Sequence, residues 1–133
     1  MNGQPLILVV EQNLHNLELM DFYLKSLNLS CLCAKQGVRA VILAQTHQPD
    51  LILLDMMLPD LSGSQVIDYL KQNPKTLNIP IIPVIPLRLS QNHEHLFLRG
   101  INNYITKPYD FSKLELLLKN CLNQLHSSDY LSE

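Results

Sequence analysis

Three short, wholly apolar runs constrain the fold of this chain more than any other feature: LILVV at residues 6–10, LILL at 51–54 and IIPVI at 81–85. A run that is apolar on both alternations and only four or five residues long reads as a strand buried on both faces. Strands of that kind belong to parallel sheets covered by helices on each side. Helical patterns do separate the runs. Leu14, Leu17, Met20, Leu24 and Leu27 recur at steps of three and four, leaving Glu18 and Lys25 outside the apolar stripe. Gly37 opens a second helical pattern through Val38, Val41, Ile42 and Ala44, closed by His47-Gln48-Pro49. Val66, Ile67 and Leu70 mark a third, after a loop over residues 59–63 and before Pro74. A fourth is expected around residues 89–98, ending at Gly100, and a fifth carries Leu114, Leu117, Leu118, Cys121, Leu122 and Leu125. Short strands are expected at 31–34 and 103–106.

Five strands alternating with five helices imply an α/β sandwich. At this length the natural arrangement is a flavodoxin-like doubly wound (βα)5 fold, with a five-stranded parallel sheet in the order 2-1-3-4-5. The chain's 133 residues suit one domain, expected over residues 1–126, with a polar tail at 127–133 and no room for an attached output domain. With 47% apolar and 17% charged residues a sizeable core is available. Ten Lys and Arg against 12 Asp and Glu argue against direct nucleic-acid binding, which favours basic domains. No apolar run approaches the ~18 residues a membrane span needs, and the N-terminus lacks a secretory pattern. A cytoplasmic protein is expected.

In doubly wound sheets ligands gather beyond the carboxyl ends of the strands, where the strand order reverses. Glu11 follows the first strand, Asp55 ends the third and Lys107 follows the fifth. Two carboxylates and an ammonium should therefore share one shallow cleft. An aspartate can act as a nucleophile toward phosphorus, and a neighbouring cation offsets charge on phosphoryl oxygens. The plainer alternative is a structural pairing of Lys107 with Asp55.

From about residue 6 to 125 the sequence resembles the receiver domain of two-component response regulators. The resemblance rests on Val9-Val10-Glu11-Gln12-Asn13, the stretch from Pro49 to Asp55, Met57-Leu58-Pro59-Asp60, Gly63, Ile79-Pro80 and Tyr104-Ile105-Thr106-Lys107-Pro108. It implies that Asp55 accepts a phosphoryl group and that Lys107 contacts it. It implies a Mg²⁺ site built from Glu11, Asp55 and the Met57 backbone carbonyl, and a switch pair at Ile85 and Tyr104. It also implies a histidine kinase, a histidine phosphotransfer protein or another signalling protein as partner. Tyr104 falls on the fourth-helix, fifth-strand, fifth-helix face, through which the resemblance allows a homodimer. No turnover enzyme is implied.

Two positions depart from the pattern. Gln12 brings a neutral amide where the family carries a second acidic residue, and Glu11 is a methylene longer than aspartate, so Mg²⁺ binding should be weak or absent. Ile85 stands where the family has a hydroxyl at the end of the fourth strand. Its loss removes a charge-assisted hydrogen bond of about 1.5–3 kcal/mol and the link from phosphorylation to Tyr104. Pro83 and Pro86 should also cost that strand ladder donors and mark a bulge or irregularity. The expectation is a stand-alone, atypical receiver acting through protein contacts; the alternative is a pseudo-receiver with no phosphorylation cycle. A flavin carrier is excluded by the lack of a phosphate loop after the first strand. A dehalogenase-type phosphatase is excluded by Met57, where a second aspartate is needed.

Other residues carry weaker signals. Cys31 and Cys33 should face one side of a strand, but two thiolates without further ligands make a poor zinc site, so packing is the simpler role. His93 and His95 do not share a helix face, and Leu19 and Leu116 read as single exposed leucines.

Overall fold

The computed structural model describes residues 3–89 and 98–126 together with Leu96. Strands β1 (Leu6–Val10), β2 (Ser30–Ala34), β3 (Leu51–Asp55), β4 (Ile81–Pro86) and β5 (Ile105–Lys107) form one parallel sheet. Their order is β2-β1-β3-β4-β5, the doubly wound order expected from the sequence. The described helices are α1 (Leu14–Ser26), α2 (Gly37–His47), α3 (Gly63–Lys71) and α4 (Phe111–His126). Helix α4 is the fifth of the expected count. The expected fourth falls largely on residues outside those described, as do His93, His95 and the expected tail at 127–133.

Alternation along each strand divides the core into two layers. Leu8, Val10, Ile52 and Leu54 point to one face and pack with Ala40, Ala44, Val66, Ile67 and Leu70 of α2 and α3. Ile7, Val9, Leu51 and Leu53 point to the other and meet Met20 and Leu24 of α1 and Leu114, Leu118 and Leu122 of α4. The apolar runs are thus apolar throughout because both faces are covered. No described helix is long and apolar enough to cross a membrane.

Local chemistry fixes the helix starts near the carboxyl ends of the strands. Asn13 caps α1, its side chain accepting from the Asn16 N–H at 2.9 Å. Ser62 and Gln65 form a reciprocal capping box on α3. Gln36 offers α2 no side-chain cap; Asp60 reaches across instead and accepts from the Gly37 and Val38 N–H groups at 2.7 and 3.0 Å. Gly63 sits so close to Met56 that a Cβ would lie 2.7 Å from the Met56 Cα, so the loop after β3 folds back only with glycine there.

The prolines of β4 correct an expectation. The strand runs unbroken through Pro83 and Pro86, in register with β3 from Ile81 and with β5 through Pro86. Alternate residues of a parallel strand donate to alternate neighbours, and the Val84 carbonyl accepts from Met56 on the β3 side. Pro83 therefore turns its missing donor toward β5, which begins only opposite Val84. Pro86 turns its missing donor toward β3, which ends opposite Val84. Neither ring removes a ladder bond. The fifth strand also starts later than the expected 103–106 and places Lys107 inside the strand, because it pairs only with Val84, Ile85 and Pro86.

Candidate functional site

The topology brings Glu11, Asp55 and Lys107 together, as the strand order requires. Glu11 is completely buried at the end of β1, its N–H donating to the Ala34 carbonyl. Asp55 is 2% exposed. Lys107 Nζ bridges the two carboxylates, at 2.9 Å from Glu11 Oε1 and 3.0 Å from Asp55 Oδ2.

Each carboxylate is held further by neutral donors. The Met57 N–H donates to Asp55 Oδ1 at 2.9 Å, so the loop after β3 wraps its own strand's terminal side chain. The Asn13 N–H donates to Glu11 Oε2 at 3.0 Å. The Tyr109 hydroxyl donates to Glu11 Oε1 at 2.5 Å. Tyr109 is a member of the cluster that sequence reading missed. Its signal was its place two residues after Lys107, on the loop that returns to α4. Its ring stacks in tilted fashion toward Phe111, which in turn meets Tyr23 of α1.

Charge states follow from these contacts. Burial pushes Glu11 upward, but the Tyr109, Lys107 and Asn13 hydrogen bonds outweigh it and hold the carboxyl below its ordinary value. Burial dominates at Asp55 and raises it, with the Met57 N–H and Lys107 opposing and the Glu11 charge adding to the rise. Burial lowers Lys107, yet its two carboxylate partners leave it raised. Burial and the Glu11 hydrogen bond raise Tyr109, keeping its phenol protonated. Glu11 is thus the firmly ionised partner of Lys107, and Asp55 the carboxylate whose charge the site tolerates least.

Gln12 lies beside this cluster, and its side-chain amide donates to the Met57 carbonyl at 3.1 Å. A magnesium ion needs near-octahedral oxygen ligands at about 2.0–2.1 Å. All the oxygens expected to supply them accept from protein donors: Glu11 from Tyr109, Lys107 and Asn13, Asp55 from Lys107 and Met57, and the Met57 carbonyl from Gln12. Asp55 and the Met57 carbonyl lie closest to what such an ion needs; Glu11 and Gln12 fit it poorly.

Ile85, expected as one half of a switch pair, directly follows Val84, which stands opposite Asp55 in the sheet. Ile85 is 6% exposed and belongs to the core layer of α2 and α3. Tyr104 is half-buried and packs against the same layer, with Lys113 Nζ of α4 4.6 Å from its ring centroid.

The sequence model of the response regulator receiver domain matches residues 7–119. The chain belongs to the response regulator receiver family. It is similar to the polar-differentiation response regulator DivK of Brucella anthropi, with 30% identity over 116 residues, 87% of this chain and 94% of that protein. It is also similar to the receiver domain of the sensor histidine kinase PA1611 from Pseudomonas aeruginosa, whose structure has a magnesium ion in its active-site cleft. That likeness has a TM-score of 0.81 at 29% identity and covers 92% of this chain and 99% of that one. A response regulator from Chloroflexus aurantiacus superposes with a TM-score of 0.83 at 23% identity, over 90% of this chain and 98% of its own, a likeness of fold. The doubly wound fold read from the strand pattern and the receiver resemblance both stand, as does the chain's place in two-component signalling.

Proposed function

We propose that this receiver keeps Asp55 as a phosphoryl acceptor with Lys107 beside it, binds Mg²⁺ weakly if at all, and signals through contacts with a partner protein. One observation carries the reading: Glu11 is fully buried and accepts from Tyr109, Lys107 and the Asn13 N–H, while Gln12 beside it is uncharged and turns its amide N–H to the Met57 carbonyl. In phosphoryl transfer an Asp55 oxygen would form the new bond to phosphorus while the bond to the donor breaks. Lys107 lies where it would face the developing negative charge. The supporting groups for a fast step are reduced at two points. Gln12 brings no charge to the cleft, and Ile85 brings no hydroxyl to the end of β4.

Without that hydroxyl the phosphoryl group has no hydrogen bond through which to draw Tyr104 inward. The face formed by β5 and α4, where Lys113 covers Tyr104, is then the same before and after phosphorylation. A histidine kinase, a histidine phosphotransfer protein or another signalling protein fits such a surface, and the chain acts as a binding module rather than a turnover enzyme.

The test is intact-mass measurement after incubation with a small acyl phosphate and Mg²⁺. Slow, substoichiometric gain of one phosphate is expected, and none in Asp55→Asn. Rapid stoichiometric labelling of the wild-type chain would sink this reading.

A further inference from the structure

A second cluster of reactive side chains lies outside the acceptor cleft, at the free edge of the sheet. Among the described residues strand β2 pairs only with β1, and on it Cys31 and Cys33 project to the same face. Their sulfurs are 3.9 Å apart. The sequence alone leaves this pair short of further ligands. The fold supplies one from α1: an oxygen of Asp21 lies within 4.8 Å of both sulfurs.

We propose that Asp21, Cys31 and Cys33 form a surface site for one thiophilic divalent cation of the zinc class. The geometry is close to what such an ion imposes. With zinc–sulfur bonds of about 2.3 Å, two thiolates of a tetrahedral site stand about 3.8 Å apart. A side-chain carboxylate completes three protein ligands, and the fourth position opens to solvent beside the exposed Cys33, where a water would sit. The two sulfurs lie within hydrogen-bond reach of one another, and either thiol can be the donor. Binding the cation releases the remaining thiol protons to solvent.

Lys25 competes for the site. Its ammonium pairs with Asp21 Oδ2 at 3.0 Å, one turn along α1. The lysine side chain is 63% exposed, so it can swing into water when a cation takes the carboxylate. The ion would thereby tie α1 to the edge strand, at the flank of the helix's buried Leu17, Met20 and Leu24. The third cysteine, Cys121, lies on α4 outside this cluster.

The test is titration of the reduced full chain with Cd²⁺, followed by the ultraviolet sulfur-to-metal charge-transfer band, with Zn²⁺ then measured against a chromophoric chelator of micromolar affinity. The band should saturate at one equivalent in wild type and in Cys121→Ser, and vanish in Cys33→Ser. Asp21→Asn should weaken binding by about tenfold, and Lys25→Ala should tighten it. A band that survives Cys33→Ser, saturation at half an equivalent, or failure of zinc to compete with the chelator would overturn the proposal. So would an Asp21→Asn chain with unchanged affinity.

Discussion

The carboxyl ends of β3 and β4 are neighbours in the sheet, with Asp55 opposite Val84, and the two are built from different materials. At the end of β3 a buried carboxylate is fixed by a lysine, a backbone N–H and the folded-back loop that begins at Met56. At the end of β4 an isoleucine enters the core and two prolines hold the backbone. In the receiver resemblance these ends form one device, an acceptor and a hydroxyl that reports its state. Here the polar half persists beside an apolar half. On the proposed reading, holding an acceptor in place and relaying its state become separable demands on the fold.

Predictions that break or sharpen this contrast start with the lysine. Lys107→Ala leaves Glu11 and Asp55 buried side by side without their shared cation. Loss of one partner from a buried ionic cluster costs about 3–5 kcal/mol, and a urea unfolding midpoint should fall accordingly at neutral pH. A small change would show that the β3 end is not held by charge.

Tyr109→Phe removes the hydroxyl donor to a fully buried carboxylate and nothing else. A hydrogen bond to a charged group is worth about 1.5–3 kcal/mol, so this variant should fall below wild type but above Lys107→Ala. If it matches wild type, Glu11 is held by Lys107 and Asn13 alone.

Asp55→Asn should move stability the other way. Asp55 is raised in the folded state, so between its ordinary value and its folded value the native chain binds more protons than the unfolded chain. Stability then falls as pH rises through that window. Asparagine abolishes this dependence, and the variant should be more stable than wild type at neutral pH by about 0.5–2 kcal/mol, as relief of strained functional sites commonly gives. The gain should shrink on acidification. Glu11 runs opposite: its lowered value contributes stability above the ordinary glutamate range, lost as pH falls through its folded value, and that acid limb should remain in the variant. Denaturation midpoints across pH check both signs.

Much of the fold was legible because both layers of the core are written into runs such as residues 6–10 and 51–54, where every residue is buried or nearly so. Glu11, Asp55 and Lys107 were legible because strand ends are the places where a doubly wound sheet exposes chemistry. Tyr109 was not, since its role depends on a loop returning to β1, across 98 positions of sequence. The prolines of β4 misled for a related reason. Whether a missing N–H matters depends on which neighbour it faces, and only the register decides that. Asp21 beside Cys31 and Cys33 likewise depends on how α1 packs on the edge strand.

The central claim is that buried Glu11, tied to three protein donors, and uncharged Gln12 make a poor magnesium site, and the Met57 and Asp55 amide resonances test it most directly. In a Mg²⁺ titration followed by NMR, the wild-type chain should show no saturable shift of these amides through the low millimolar range. Gln12→Asp, which frees the Met57 carbonyl and adds a carboxylate, should show one. A saturable submillimolar shift at Asp55 and Met57 in the wild-type chain would contradict the account.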